Sequence, residues 1–209
     1  RRKERILYQF ADYIGCMSQE NVKYIQAKNK FLEKTVVEVC PNSIEISKSI
    51  VSIDRTTLRR KFAIPDNAVI FIYGGNIGKP QGINFIERSI EAFEEIEDVF
   101  LFIVGSGTEF LRLNRLVKSK KFQNSLIHEA LPKQEFDLLM GIADVGLIFL
   151  DYRFTVPNFP SRLLSYMENS LPVISATDDS TDLGSISESA NFGVSCASNS
   201  INDFVEKVI

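Results

Sequence analysis

The residues best suited to chemistry lie in the run PNFPSRLL, Pro157 to Leu164. Pro157 and Pro160 forbid regular structure, and Ser161 is placed to cap a helix carrying Leu163, Leu164 and Met167. A helix that opens at a sheet edge presents its first amides, here those of Ser161, Arg162, Leu163 and Leu164, to whatever lies above that edge. With the positive end of the helix dipole and the Arg162 guanidinium, they would hold a phosphate or diphosphate. A capped helix with a solvated arginine is the alternative.

Three further loops follow short apolar runs: Gly74-Gly75-Asn76, Gly105-Ser106-Gly107 and Ala130-Leu131-Pro132. Backbone without Cβ lets amides approach phosphate or sugar oxygens, although tight strand-to-helix turns also use glycine. Several such loops facing an arginine-bearing helix start favour a nucleotide-type ligand. The single histidine, His128 beside Ile127, reads as a packed strand residue rather than a catalyst. Cys16, Cys40 and Cys196 share no metal-ligand spacing, so no metal is expected, and their apolar surroundings suggest buried, reduced thiols in a cytoplasmic setting.

The elements that position these loops repeat regularly from Ala68. Strand AVIFIYGG, helix INFIERSIEAFEEIE, strand VFLFIVG, helix EFLRLNRLVKSK, strand SLIHEA and helix LPKQEFDLLMGIA lead to strand DVGLIFL, the Pro157 loop and helix, and strand LPVISA. Such alternation predicts an α/β fold, a doubly wound parallel sheet with right-handed crossovers and ligands at the carboxyl ends of its strands. Ahead of it stand the end of a helix over 1–10, strand ADYIGCMS, a helix capped by Ser18, and strand TVVEVCP. ISKSIVSIDRTTLRRKF reads as a crossover and helix. Two strands and a helix cannot close a core, so 1–45 is expected to be the tail of a preceding domain, with 46–209 the main domain. SINDFVEKVI, capped by Ser200, is expected to be cut short with its apolar face partly exposed.

Composition narrows the function. With 44% hydrophobic and 24% charged residues, sixteen Phe and no Trp, the chain is globular, and no apolar run approaches the roughly 20 residues that span a bilayer. Residues 1–60 hold 12 Lys/Arg against 7 Asp/Glu, the remainder 12 against 20. Without a basic stripe interleaved with aromatics, nucleic acid is not an expected partner. The basic amino end could face anionic lipid, a peripheral association at the inner face of the membrane, with a solvated face as the other explanation. Gly105-Ser106-Gly107, followed by Glu129, imitates a dinucleotide fingerprint, but Phe110 stands where the third glycine is needed and would block close helix packing.

Together these residues resemble the carboxyl-terminal, donor-binding half of a GT-B fold retaining glycosyltransferase of the large family that includes bacterial capsule and O-antigen transferases. ADYIGCMSQENVKYI and VEVCPNSIE resemble the end of the acceptor domain and the hinge; YGGNIGKPQG and IVGSGTE resemble the two glycine loops of the donor domain. PSRLLSYMENSLPVISATD resembles the donor-binding helix and following strand. The resemblance implies transfer of a sugar from a nucleotide diphosphate sugar, a UDP-sugar in the first instance, to a saccharide or lipid-linked acceptor held by an amino-terminal domain. It implies retention, no metal and no cofactor, the nucleotide sugar being a substrate.

The family pattern places Arg and Lys where this chain has Asn76 and Gln81, with Lys79 as a substitute charge. It places glutamates at Pro157 and Ser165, leaving Ser165 as a neutral ribose partner and Glu168, one turn along, as a substitute carboxylate. Arg162, Lys79 and Ser165 are therefore the candidate catalytic residues. The three loops, Gln81, Pro160, Ser161, Leu163, Leu164 and Glu168 complete the donor site. Other readings are a non-catalytic sugar-nucleotide or interaction module and a GT-B epimerase, which would need carboxylates and histidine at the cleft.

Overall fold

The computed structural model describes residues 2–46 and 54–209. Its amino-terminal portion comprises helix α1 (Arg2–Gln9), strand β1 (Tyr13–Cys16), helix α2 (Gln19–Lys28), a 3-10 turn at Lys30–Leu32 and strand β2 (Val36–Val39). β1 and β2 pair in parallel as a two-stranded sheet over a small cluster of Ile14, Cys16, Val22 and Leu32. Ser18 starts α2 but makes no side-chain cap bond. Cys40 is exposed, unlike the buried Cys16, because Val36, Glu38, Val39 and Cys40 lie at an edge that no third strand covers among the described residues. Most of the crossover read at 46–54 lies outside the described residues.

The main sheet follows from helix α3 (Arg55–Lys61), capped by Asp54, whose carboxylate accepts the Thr57 amide at 3.2 Å. Strand β3 (Val69–Asn76), helix α4 (Ile83–Phe93), strand β4 (Val99–Ser106), helix α5 (Phe110–Lys120), strand β5 (Ser125–His128) and helix α6 (Lys133–Met140) come next. Strand β6 (Val145–Phe149), helix α7 (Arg162–Glu168), strand β7 (Val173–Thr177), helix α8 (Leu183–Ser189), strand β8 (Gly193–Ala197) and helix α9 (Ile201–Val208) complete it. The six strands run β5-β4-β3-β6-β7-β8, every pair parallel. The winding reverses between β3 and β6, the place where such sheets open a crevice at their carboxyl edge.

Near-continuous apolar strands follow from burial on both faces: β4 is buried from Val99 to Gly105 and β7 throughout. One face packs against α4, α5 and α9 through Ile86, Phe93, Leu113 and Phe204; the other packs against α6, α7 and α8 through Leu139, Tyr166 and Leu183. Tyr166, rather than Met167, anchors α7: it is 1% exposed while Met167 is 51% exposed. Gly146 makes room for the Tyr166 ring, since a Cβ there would come within 2.6 Å of it. The Tyr166 hydroxyl donates to a carbonyl, with Leu147 O at 2.9 Å and Ile72 O at 3.2 Å. Among the described residues, no helix is long and apolar enough to cross a membrane.

Ser200 caps α9 by accepting the Asp203 amide. Its apolar face is more covered than the sequence suggests: Phe204 is fully enclosed against Phe85, Phe93 and Phe149, and Ile201 and Val208 are partly buried. The Phe204→Ala substitution is expected to cost about 3–5 kcal/mol, the range for emptying a core aromatic site. Urea denaturation followed by circular dichroism measures it, and a loss below about 1 kcal/mol would show that α9 does not close the core.

Candidate functional site

The crevice between β3 and β6 is organised by Arg162. Its guanidinium lies over the Tyr73 ring, 4.2 Å from the centroid, and against Gly75, where a Cβ would come within 3.5 Å of Nη2. Gly75 has φ +126, so its backbone calls for glycine, while a Cβ there would meet the guanidinium only at ordinary contact distance. Arg162 is half-buried rather than exposed as a sheet-edge side chain would be, and its Nη1, enclosed by protein, has no hydrogen-bond partner among the described residues. Burial raises the Tyr73 hydroxyl above its ordinary value, partly offset by the guanidinium. A cation held on an aromatic face with a donor unmatched favours an anion in the crevice.

The loop that delivers Arg162 is pinned from two sides. Ser180 Oγ donates to Phe154 O at 3.0 Å and Thr181 Oγ to Asn158 O at 2.9 Å, both from the turn after β7. From the amino-terminal portion, Asn21 Nδ2 donates to Pro157 O at 2.7 Å, and the Glu20 amide donates to Asp182 at 3.1 Å. Helix α7 then differs from the sequence expectation. It has seven residues, Ser161 makes no side-chain cap, and the Leu163 and Leu164 amides already donate to Pro160 O and Ser161 O. Two of the four amides are therefore committed within the turn, and the Arg162 side chain keeps the unmatched donor.

The glycine loops are also committed to one another. A Cβ on Gly105 would fall on the Gly75 carbonyl, and one on Gly107, at φ +155, on the Ile77 carbonyl, so these glycines let the loops after β3 and β4 touch. Gly74 accommodates the Phe136 ring. Ser106 and Gly107 remain exposed at the edge. Asn76 is exposed but Gln81 is buried, and the Gln81 Oε1 accepts Asn76 Nδ2 at 3.0 Å and the Gly78 amide at 3.2 Å. Beyond β5, Ala130 and Pro132 are exposed while Leu131 packs into the core. Along α7, Leu163 is buried, Ser165 and Leu164 are half-buried, and Glu168 is exposed; Pro160 is half-buried and Ser161 exposed. His128 packs edge-on to Phe62 and Phe102, away from the Arg162 group, as the sequence suggests.

Lys79 is exposed in the 3-10 turn Lys79–Gln81. It faces a cavity shared with Asp151 and Arg153, whose walls do not include Arg162. Sequence reasoning missed Asp151, Arg153, Asp178 and Asp182, which the DYR and TDDSTD runs at the ends of β6 and β7 carry in plain view. Asp151 is 7% exposed and receives Arg153 Nε at 2.8 Å and Nη2 at 2.6 Å, a bidentate pair. Asp178 is buried, with Oδ2 lacking a partner among the described residues, and burial raises its carboxyl above the ordinary range.

Residues 54–209 match the family model described as glycosyl transferases, group 1. The chain is 28% identical over 187 residues to an Escherichia coli (strain K12) protein that carries the name colanic acid biosynthesis glycosyl transferase WcaI, covering 83% of this chain and 44% of that one. It thus spans less than half of that relative. Among solved structures it superposes on Anabaena Alr3699/HepE in complex with UDP, at TM-score 0.67 and 18% identity, covering 96% of this chain and 56% of that one. A glycosyltransferase from Rickettsia africae ESF-5 gives TM-score 0.70 at 15% identity, covering 94% and 52%. These solved structures are GT-B glycosyltransferases, and over the roughly half of their length that is matched they show a parallel α/β, Rossmann-like sheet for this chain.

The Asp151–Arg153 pair sets an expected pH dependence. Chiefly through the Arg153 hydrogen bonds, the folded carboxyl lies below its ordinary 3.8. Its contribution is present above that value and lost as pH falls through the folded one. The stability gap between wild type and Arg153→Gln should accordingly be open near neutral pH and close as pH drops below 3.8. Urea titrations across that window check it, and a gap independent of pH would contradict it.

Proposed function

We propose, from the fact that the chain belongs to the glycosyl transferases of group 1, that it is the donor-binding half of a retaining transferase. The sugar passes from a nucleotide diphosphate sugar, a UDP-sugar, to a saccharide or lipid-linked acceptor in bacterial surface polysaccharide synthesis. Similarity to a protein named for colanic acid biosynthesis supports that setting. The division into 1–45, the tail of an acceptor domain and hinge, and 46–209, the donor domain, fits the two separate sheets. The acceptor is held by the amino-terminal domain, and a lipid-linked acceptor places the protein at the inner face of the membrane.

The carrying observation is Arg162 Nη1, a buried cationic donor without an acceptor among the described residues, at the winding reversal of the sheet. A leaving UDP diphosphate gains charge as the glycosidic bond breaks, and a preorganised guanidinium binds it more tightly as that happens. Lys79 adds long-range positive charge from the neighbouring turn, so that these two side chains, rather than a divalent metal, meet the developing charge. Exposed Ser106 and Gly107 line the approach of the nucleotide. Ser165 and Glu168, on the helix that carries Arg162, are assigned to the ribose. Asn76 and Gln81 fix the loop around them.

Arg162→Ala is expected to weaken UDP binding by about 1.5–3 kcal/mol, the range for a hydrogen bond to a charged group. Lys79→Ala, which removes a flexible point charge, should cost less. Calorimetric titration of both variants decides this; undiminished UDP affinity in a folded Arg162→Ala protein removes the central residue of this reading.

A further inference from the structure

A polar cavity of about 460 Å³ opens on the α4 side of the carboxyl edge, and Arg162, Gly75, Gly105 and Gly107 do not line it. Four cations, Lys79, Arg88, Arg112 and Arg153, stand against two carboxylates, Glu109 and Asp151. Both carboxylates are already engaged: Asp151 by Arg153 as described, and Glu109 by Arg112 at 3.7 Å. Arg112 is held further by Glu87 and by Asn84 Oδ1 at 2.7 Å. The Lys79 and Arg88 side chains have no hydrogen-bond or ion-pair partner among the described residues, which leaves uncompensated positive charge at the cavity wall.

Two independent features point to an anion there. The first turn of the 11-residue α4 borders the cavity through Ile83 and Asn84, whose amides have no partner within the helix, and its cap Gly82 supplies no side chain. Ser198, also in the lining, is 2% exposed, and its hydroxyl has no hydrogen-bond partner among the described residues. A buried hydroxyl is ordinarily satisfied, so its isolation marks a place where a ligand oxygen fits. The remaining wall mixes hydrogen-bonding groups suited to hydroxyls, Asn84 and Asn199, with an aromatic surface from Tyr152 and Phe85. The volume lies in the range of small-molecule sites.

We infer that this cavity is a second ligand site, separate from the UDP site, that takes a phosphorylated sugar. Its phosphate meets Lys79, Arg88 and the α4 amides, and its hydroxyls meet Ser198, Asn84 and Asn199. The site involves no bond making or breaking. Because Lys79 borders the cavity and also contributes charge to the UDP diphosphate, occupancy by a phosphate draws part of that charge away from the donor.

Calorimetric titration with glucose 6-phosphate as the probe tests this, with inorganic phosphate and glucose as half-ligands. Saturable one-site binding is expected, weaker for phosphate alone and absent for glucose. The exposed, unpaired Arg88 can be changed without disturbing the core: Arg88→Gln should weaken glucose 6-phosphate binding by about tenfold or more while leaving intrinsic UDP affinity unchanged. Ser198→Ala should weaken it less. Absence of saturable binding, an affinity indifferent to Arg88→Gln, or complete competitive displacement by UDP would overturn the second site. Equal affinity for inorganic phosphate would overturn its assignment to a sugar.

Discussion

Arg162 cannot sit where it does without concessions from several elements, and most of the carboxyl edge is arranged around them. Its guanidinium rests on Tyr73, a core residue of β3, and against Gly75 at the end of the same strand. Stacking on a largely desolvated ring is worth about 2 kcal/mol, comparable to the cost of leaving a buried donor unmatched. The unmatched donor is therefore tolerated rather than favoured. An anion that accepts from Nη1 removes the cost without moving the side chain.

That placement reaches outward through backbone contacts. Gly75 bends at positive φ beside the arginine, Gly105 and Gly107 let the next loop close over it, and the Asn76–Gln81 pair holds the intervening turn. The loop carrying Arg162 is hydrogen-bonded both to the turn after β7 and to α2 of the amino-terminal portion. A change in how α2 sits would thus be felt at Pro157, five residues before Arg162.

The parallel sheet was legible because its strands are buried on both faces and written as unbroken apolar runs between helices of 3.6 periodicity. Strand β8 and helix α8 escaped notice because GVSCA lies at a partly exposed edge and LGSISES is rich in serine, so neither carries strong periodicity. Arg162 could be singled out from its position after a proline-rich loop. Its half-burial could not, because the ring and the glycine that receive it are some 90 residues away in sequence. The Asn76–Gln81 bond and the used Leu163 and Leu164 amides depend on local geometry that residue types alone do not fix.

The most direct measurement is a crystal structure of the chain with UDP bound. A diphosphate oxygen should lie about 3 Å from Arg162 Nη1, with the guanidinium still on Tyr73. UDP bound elsewhere, with Nη1 still lacking an acceptor, would contradict the role given to Arg162.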